Sequence, residues 1–402
     1  MSIPIVETPK ELRWFITQYK SCFTKKQFKH FERLITGLIV SENKTLQEIN
    51  DCFGKCNQSN FNRFVNSSWD TNSINRVRIN QIHNFTRLTR GIFICDPTLL
   101  HKTGKKMEKA NYHYSGKTKK TEWGHLLVNN LFYNEKIHFP ISSPIYIREQ
   151  DADEQHPFKK TREIMLEQIE FALDQGIPLW LVMADAGLHA DYVLSKIKFL
   201  NLKYIIGNRI TNKISVDRKK RIAIGKIEKS LIAKNYHRYK INGDKYYIYT
   251  REVYTRSVGK EKLIITYKKG DEKNKKIYTT NIFTLSDESL MHLLLKRWKV
   301  EELHRDEKQH LGLEDYQIRK FGGIQKVVLA VLIAYTALIL NASRQWILHT
   351  FNRRLETIGE GCRYFKLIAT KGWRWVKGKV KEGQSKLRDI LNRFVLVKNA
   401  KV

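Results

Sequence analysis

Apolar positions in the first 85 residues recur with helical spacing. Phe28, Phe31, Leu34, Ile35 and Leu38 fall on one face of a helix. Thr45-Leu-Gln-Glu48 has the form of a capping box opening a short helix with Ile49 and Phe53, and Gly54 is placed to end it. Ser59 is placed to cap a second short helix carrying Phe61, Phe64 and Val65. Helix, Gly-containing turn and helix form the outline of a helix-turn-helix. Asn60, Asn62 and Arg63 then stand near the start of its second helix, where base edges or phosphates are reached. A small helical bundle fits the same pattern equally well.

Near residue 91 the period changes. Gly91–Asp96 is a short apolar run ending in a carboxylate, and Leu179–Met183 is a second that runs into Asp185. Leu126–Val128, Ile145–Ile147 and Lys203–Ile206 read as further strands, with helices at His156–Gln175 and Ala190–Leu200. Strands alternating with helices predict an α/β core. Between about 210 and 280 the chain turns Lys- and Tyr-rich. Asn242-Gly243-Asp244 reads as a hairpin turn, and Gly270-Asp271 divides Leu263–Tyr267 from Ile277–Thr280. This antiparallel insert, with a basic cluster at Arg218–Arg221, is expected to leave the core and return without adding to the central sheet. Ser286 caps a predicted long helix through Leu311, closed by Gly312, and an apolar helix follows at 324–347.

Charge narrows the class of partner. Lysine and arginine total 73 against 40 acidic residues, a net +33, which favours a polyanion, nucleic acid first. Biased genome composition is the bland source of the same excess. The first 20 residues lack the apolar core of a signal peptide, and the apolar run Val327–Leu340 reads as a buried helix, so no membrane partner is expected. Five scattered cysteines (Cys22, Cys52, Cys56, Cys95, Cys362) point to a reduced cytoplasmic setting and give no zinc-finger spacing. The tail from Cys362 is basic with interleaved aromatics, among them Trp373, Arg374 and Trp375.

The chemistry rests on carboxylates. Asp96 and Asp185 stand at or just past the ends of buried strands, where sites form in open α/β sheets. A carboxylate there is costly unless neutralised, and a divalent cation does that. Mg²⁺ prefers oxygen ligands and shares them with substrate phosphates, though an aspartate at a strand end is also a common turn residue. In the following helix Arg297, Glu301, Arg305 and Lys308 lie at offsets that share one face. By itself that helix fits a solvated face with ion pairs better than a site. Glu302 is turned about 100° from Glu301. His304 shares the Glu301 face and reads as structural. Trp298 reads as a core residue, with stacking on an unpaired base as its other use.

The order of these features changes the weighting. Asp, Asp, a β-rich insert, then a helix with Arg-Trp-x-Val-Glu and a Lys seven after the Glu resembles the DDE insertion-sequence transposases. Their signature is Tyr, two residues, Arg, three residues, Glu, six residues, Lys. Arg297, Glu301 and Lys308 match it, while Leu294 stands at the Tyr position. Ile-Cys-Asp96-Pro-Thr, Val-Met-Ala-Asp185-Ala-Gly187 and Thr280-Asn281 through Ser286 are similar to the family's other motifs, and Gly37-Leu-Ile with Phe64 to Asp70 is similar to its helical leader. The resemblance implies a ribonuclease-H-like mixed sheet flanked by helices. It divides the chain into a helical DNA-binding domain (1–88), a catalytic core in two parts (89–208 and 283–350), a β-rich insertion (209–282) and a basic C-terminal region (351–402). It implies two Mg²⁺ ions, replaceable by Mn²⁺, held by Asp96, Asp185 and Glu301. Arg297, Lys308, Arg305, Trp298, Arg63 and Asn60 are then DNA contacts. The implied partners are double-stranded DNA, as transposon-end inverted repeats and as target, and a second copy of the chain, in a prokaryotic cytoplasm at the nucleoid. A nuclease that cuts without joining, or a non-catalytic DNA-binding derivative, are the competing readings.

Overall fold

The computed structural model describes residues 4–54, 57–116, 118–255 and 258–370. Cys56 and the basic tail residues Trp373, Arg374 and Trp375 lie outside the described residues. The chain divides into two compact units. One takes the described residues within 1–88, 99–127 and 303–402, and the other those within 89–98 and 128–302.

The first unit opens with helices α1 (Lys10–Thr17), α2 (Lys25–Val40), α3 (Leu46–Phe53), α4 (Gln58–Asn66) and α5 (Thr71–Phe85). Helix α2 starts at a full capping box, Thr24 with Gln27, and buries Phe31, Leu34, Ile35 and Leu38 as their spacing predicts. Thr45 caps α3, and Gly54 ends it in the left-handed conformation at φ 58°. Asn57 rather than Ser59 caps α4: its side chain accepts from the Ser59 N–H, so the helix starts earlier than expected.

Strand β1 (Gly91–His101) begins in the second unit. A hairpin of β2 (Asn111–Ser115) and the start of β3 (Lys120–Tyr133) belongs to the first. The second unit continues with β4 (His138–Ser142), β5 (Ile145–Tyr146), α6 (Thr161–Asp174), β6 (Leu179–Ala184), α7 (Asp191–Phe199) and β7 (Lys203–Gly207). After these come β8 (Lys213–Ser215), β9 (Arg221–Ala223), α8 (Ile224–Ser230), β10 (His237–Ile241), β11 (Asp244–Thr255), β12 (Gly259–Lys268), β13 (Lys276–Thr280) and α9 (Asp287–Lys296). Helix α10 (Lys299–Gln309) leads back to the first unit, which ends with α11 (Phe321–Ala342), α12 (Gln345–Phe351) and α13 (Ile358–Ala369). Helix α11 is long and apolar enough to cross a membrane, and it is largely buried within the protein.

The second unit is mixed α/β, compatible with a ribonuclease-H-like fold. Its strands run β3-β1-β6-β7-β13-β12-β11-β8-β9, with β4 and β5 on β3 and β10 on β11. Strands β1, β6 and β7 are parallel, and β7 meets β13 antiparallel. This corrects the expectation that the insert returns without joining the sheet. Tyr278, Thr279 and Thr280 pair with Gly207, Ile206 and Ile205, so the insert's last strand occupies what would be an open edge of β7. Asn281 extends the seam: its side chain accepts from the Tyr204 N–H at 2.9 Å and donates to the Leu202 carbonyl at 3.2 Å. The insert also has its own core, where Ile224 and Ile227 of α8 cluster with Val253, Leu263 and Ile265. Beside the seam, fully buried Glu261 accepts from Tyr204 (2.8 Å) and Thr255 (2.9 Å).

Candidate active site

Parallel pairing fixes the first two carboxylates. Strands β1 and β6 run in register to Cys95 opposite Ala184, so Asp96 comes next along β1 and Asp185 comes next after the end of β6. Strand β1 continues to His101, which places Asp96 mid-strand rather than at the strand end foreseen; the parallel ladder, not the strand, ends beside it. Asp185 precedes a short 3-10 turn, Ala186–Leu188, which turns it outward, and it is exposed. The Arg162 guanidinium holds that turn by donating to the Gly187 carbonyl at 3.2 Å.

Gly207 lies beneath the turn. A Cβ there would stand 2.5 Å from the Ala186 nitrogen and 3.0 Å from the Asp185 carbonyl carbon. Both are backbone atoms, so the loop itself would have to move. Gly207→Ala is expected to shift Asp185 and to lower DNA cleavage by about 10²-fold, the cost of a displacement near 1 Å at reacting groups. Cleavage rates measured beside circular dichroism check this; a folded variant cutting at the parent rate would refute the close-packing argument.

The third carboxylate comes from α10. The predicted single helix is two, because the backbone tightens at Arg297–Trp298. Trp298 N–H bonds to the Leu295 carbonyl (3.3 Å) and Glu301 N–H to Trp298 (3.0 Å), i to i−3 bonds in place of i to i−4. The break turns the Trp298 indole outward, 62% exposed, where burial was expected. It turns Arg297 inward, its Nη1 3.8 Å from an Asp96 carboxylate oxygen.

Carboxylate oxygens of Asp96 and Glu301 lie within 4.8 Å of each other. Asp185 stands outside that close pair but within electrostatic reach of Asp96. Burial pushes the Asp96 carboxyl up to about 7; the Arg297 charge opposes this, and Glu301 and Asp185 add to it. Burial lowers the Arg297 guanidinium, but Tyr278, Asp96, Asp185 and Glu301 outweigh it and hold the group above its ordinary value. Tyr278 on β13 shares a hydrogen bond with Arg297, with the guanidinium donating, and burial raises its hydroxyl. This tyrosine escaped the sequence reading. Its only signal was alternation within Ile277–Thr280, which does not say what the strand faces.

The remaining candidates divide. Glu302 pairs with Lys299 at 2.7 Å and so is committed away from the aspartates. His304 is buried three residues after Glu301 on α10. Lys308 pairs with Glu314 (2.9 Å) and donates to the Leu99 carbonyl (2.7 Å). Arg305 is exposed beside Asp306. On α4, Asn60 and Arg63 are exposed and bonded to each other.

Two half-buried carboxylates converging, with a third close by and, among the described residues, the Arg297 guanidinium beside them, carry more negative than positive charge. Paired carboxylate oxygens of this kind fit a hard divalent cation. No curated protein matches the chain. A family model described as DDE superfamily endonuclease matches residues 18–221, about half of the chain and inclusive of Asp96 and Asp185. The chain therefore belongs to the DDE superfamily endonucleases, nucleases that act on DNA with divalent metal.

Proposed function

We propose that this protein is a DNA transposase that cuts at transposon ends and joins the freed 3′ ends to target DNA. The observation that carries the proposal is the meeting of Asp96 and Glu301, with Asp185 directly after the end of the next parallel strand. These three residues would hold two Mg²⁺ ions, with Mn²⁺ as a substitute. When bound, divalent cations polarise the phosphodiester and favour deprotonation of the attacking oxygen.

The chain's own groups do the rest. Arg297, steadied by Tyr278, offsets the carboxylate charge and meets a phosphate near the scissile bond. Exposed Trp298 offers a stacking face to an unpaired base. Arg305 contacts backbone phosphate, and Lys308 does so by exchanging Glu314 for it. Asn60 and Arg63 read the end sequence, and a pair of chains brings two ends together. In cleavage, a water oxygen bonds to phosphorus as the bond to the 3′ oxygen breaks. In joining, that 3′ oxygen bonds to a target phosphorus as another 3′ oxygen leaves. Each step exchanges one P–O bond for another, and neither needs an oxidant or a nucleotide.

The test supplies end duplex and supercoiled target DNA with Mg²⁺, Mn²⁺ or chelator. Cut ends and joined products are expected with either ion, and neither with chelator. Cutting without joined products would reduce the protein to a nuclease, and cutting in chelator would end the reading.

A further inference from the structure

In the first unit, the β2–β3 hairpin leaves its aromatic face in water. Tyr112 and Tyr114 alternate along β2 with buried Asn111 and His113 and are 47% and 69% exposed. Tyr112 pairs across the hairpin with Trp123 and meets its ring edge-on at 5.1 Å. Lys105 sits over both rings, 4.7 Å from the Tyr112 centroid and 4.5 Å from that of Trp123, and donates to the Tyr112 hydroxyl at 3.0 Å.

The charge of the segment is one-sided. Residues 101–123 contain seven lysines and two glutamates. Glu108 is engaged, accepting from the Phe321 N–H at the start of α11 at 2.8 Å, and Glu122 lies 3.8 Å from the His101 imidazole. Lys105, Lys106, Lys119 and Lys120 remain exposed. The buried side of the hairpin is anchored, since Lys102 donates to the Glu314 and Tyr316 carbonyls and His125 bonds the Tyr316 hydroxyl at 2.8 Å.

We infer that this hairpin face binds an unpaired stretch of DNA, stacking bases on Tyr114 and Tyr112 and holding phosphates with Lys105, Lys119 and Lys120. The inference rests on the reading of the chain as a DNA-processing enzyme. A purely duplex ligand would use the lysines and leave the rings idle. Two residues of strand rise about 6.8 Å, more than one base is thick, so the two tyrosines meet different bases. Stacking tolerates any base sequence, and the surrounding cations follow the backbone.

The test uses full-length Asp96→Asn protein without metal, so that binding is read apart from cutting. Anisotropy titrations compare a blunt duplex with the same duplex carrying a single-stranded tail. Tyr114→Ala is expected to weaken tailed DNA by about tenfold, the scale of one lost base–aromatic stack, and to leave the blunt duplex nearly unchanged. Tyr114→Phe keeps the ring and should bind as the parent does. A 2-aminopurine in the tail should be quenched by the parent and not by Tyr114→Ala. Equal weakening of both DNAs, or no weakening of tailed DNA, overturns the inference. In the Asp96 background, a hairpin variant with unchanged affinity while the native enzyme still cuts would sink the hairpin alone; failure of the native enzyme to bind any DNA would sink the functional reading with it.

Discussion

Asp96→Asn and Glu301→Gln are each expected to slow cleavage of end duplex by about 10³-fold or more while leaving DNA binding in place. The two carboxylates approach within 4.8 Å in a setting that pushes Asp96 up to about 7. A cation shared by the pair would offset their mutual repulsion. On the proposed reading, removing either charge removes a ligand, and a bound cation would contribute several kcal/mol to the transition state, each 1.36 kcal/mol being tenfold in rate. Asp185→Asn should act in the same direction, since Asp185 follows the end of the adjoining strand and its charge acts on Asp96. Glu302→Gln is the control: its carboxylate is held by Lys299, and it should cut normally. Normal cutting by Asp96→Asn or Glu301→Gln would remove that residue from the ligand set, and loss of cutting in Glu302→Gln would transfer the role.

The sequence disclosed most where local physics decides. Apolar runs of five or six residues marked β1 and β6 because buried parallel strands need apolar side chains on both faces. Gly54 and the Asn242-Gly243 pair marked a helix end and a hairpin turn because each takes a positive φ. Asp96 and Asp185 are singled out by their place beside those strands, and Glu301 by the family resemblance, since its helix alone fits a solvated face with ion pairs better. Long-range pairing was not readable. Nothing in Lys276–Thr280 announces that it lies against β7, so the insert's place in the sheet and Tyr278's place at Arg297 were both missed. The same holds for Gly207, whose function is set by an Asp185 loop that folds onto it. The break at Arg297–Trp298 contains neither glycine nor proline, and its residues all suit a continuous helix.

That break leads to the second large effect. Arg297 faces Asp96 at 3.8 Å, with side chains 21% and 16% exposed. In the protein without metal it offsets part of the site's negative charge. Arg297→Gln should therefore destabilise the metal-free protein. Breaking a fully buried pair costs about 3–5 kcal/mol, and partial exposure here lowers the expectation to about 1–2 kcal/mol. Saturating Mg²⁺ should close that gap, because a cation bound among the carboxylates takes over the offsetting charge and stabilises only the folded state. Cleavage should stay about 10²–10³-fold below the parent even then, since on the proposed reading the lost guanidinium also meets the phosphate on which charge develops. Arg297→Lys should recover part of the stability and little of the rate, because one ammonium cannot replace a planar fork spanning Tyr278 and Asp96. Thermal melts of parent and variants with and without Mg²⁺, beside cleavage rates, separate the two contributions. If Arg297→Gln melts below the parent by the same margin in both conditions, Arg297 is a packing residue at the end of α9, and its place among the carboxylates has no electrostatic purpose.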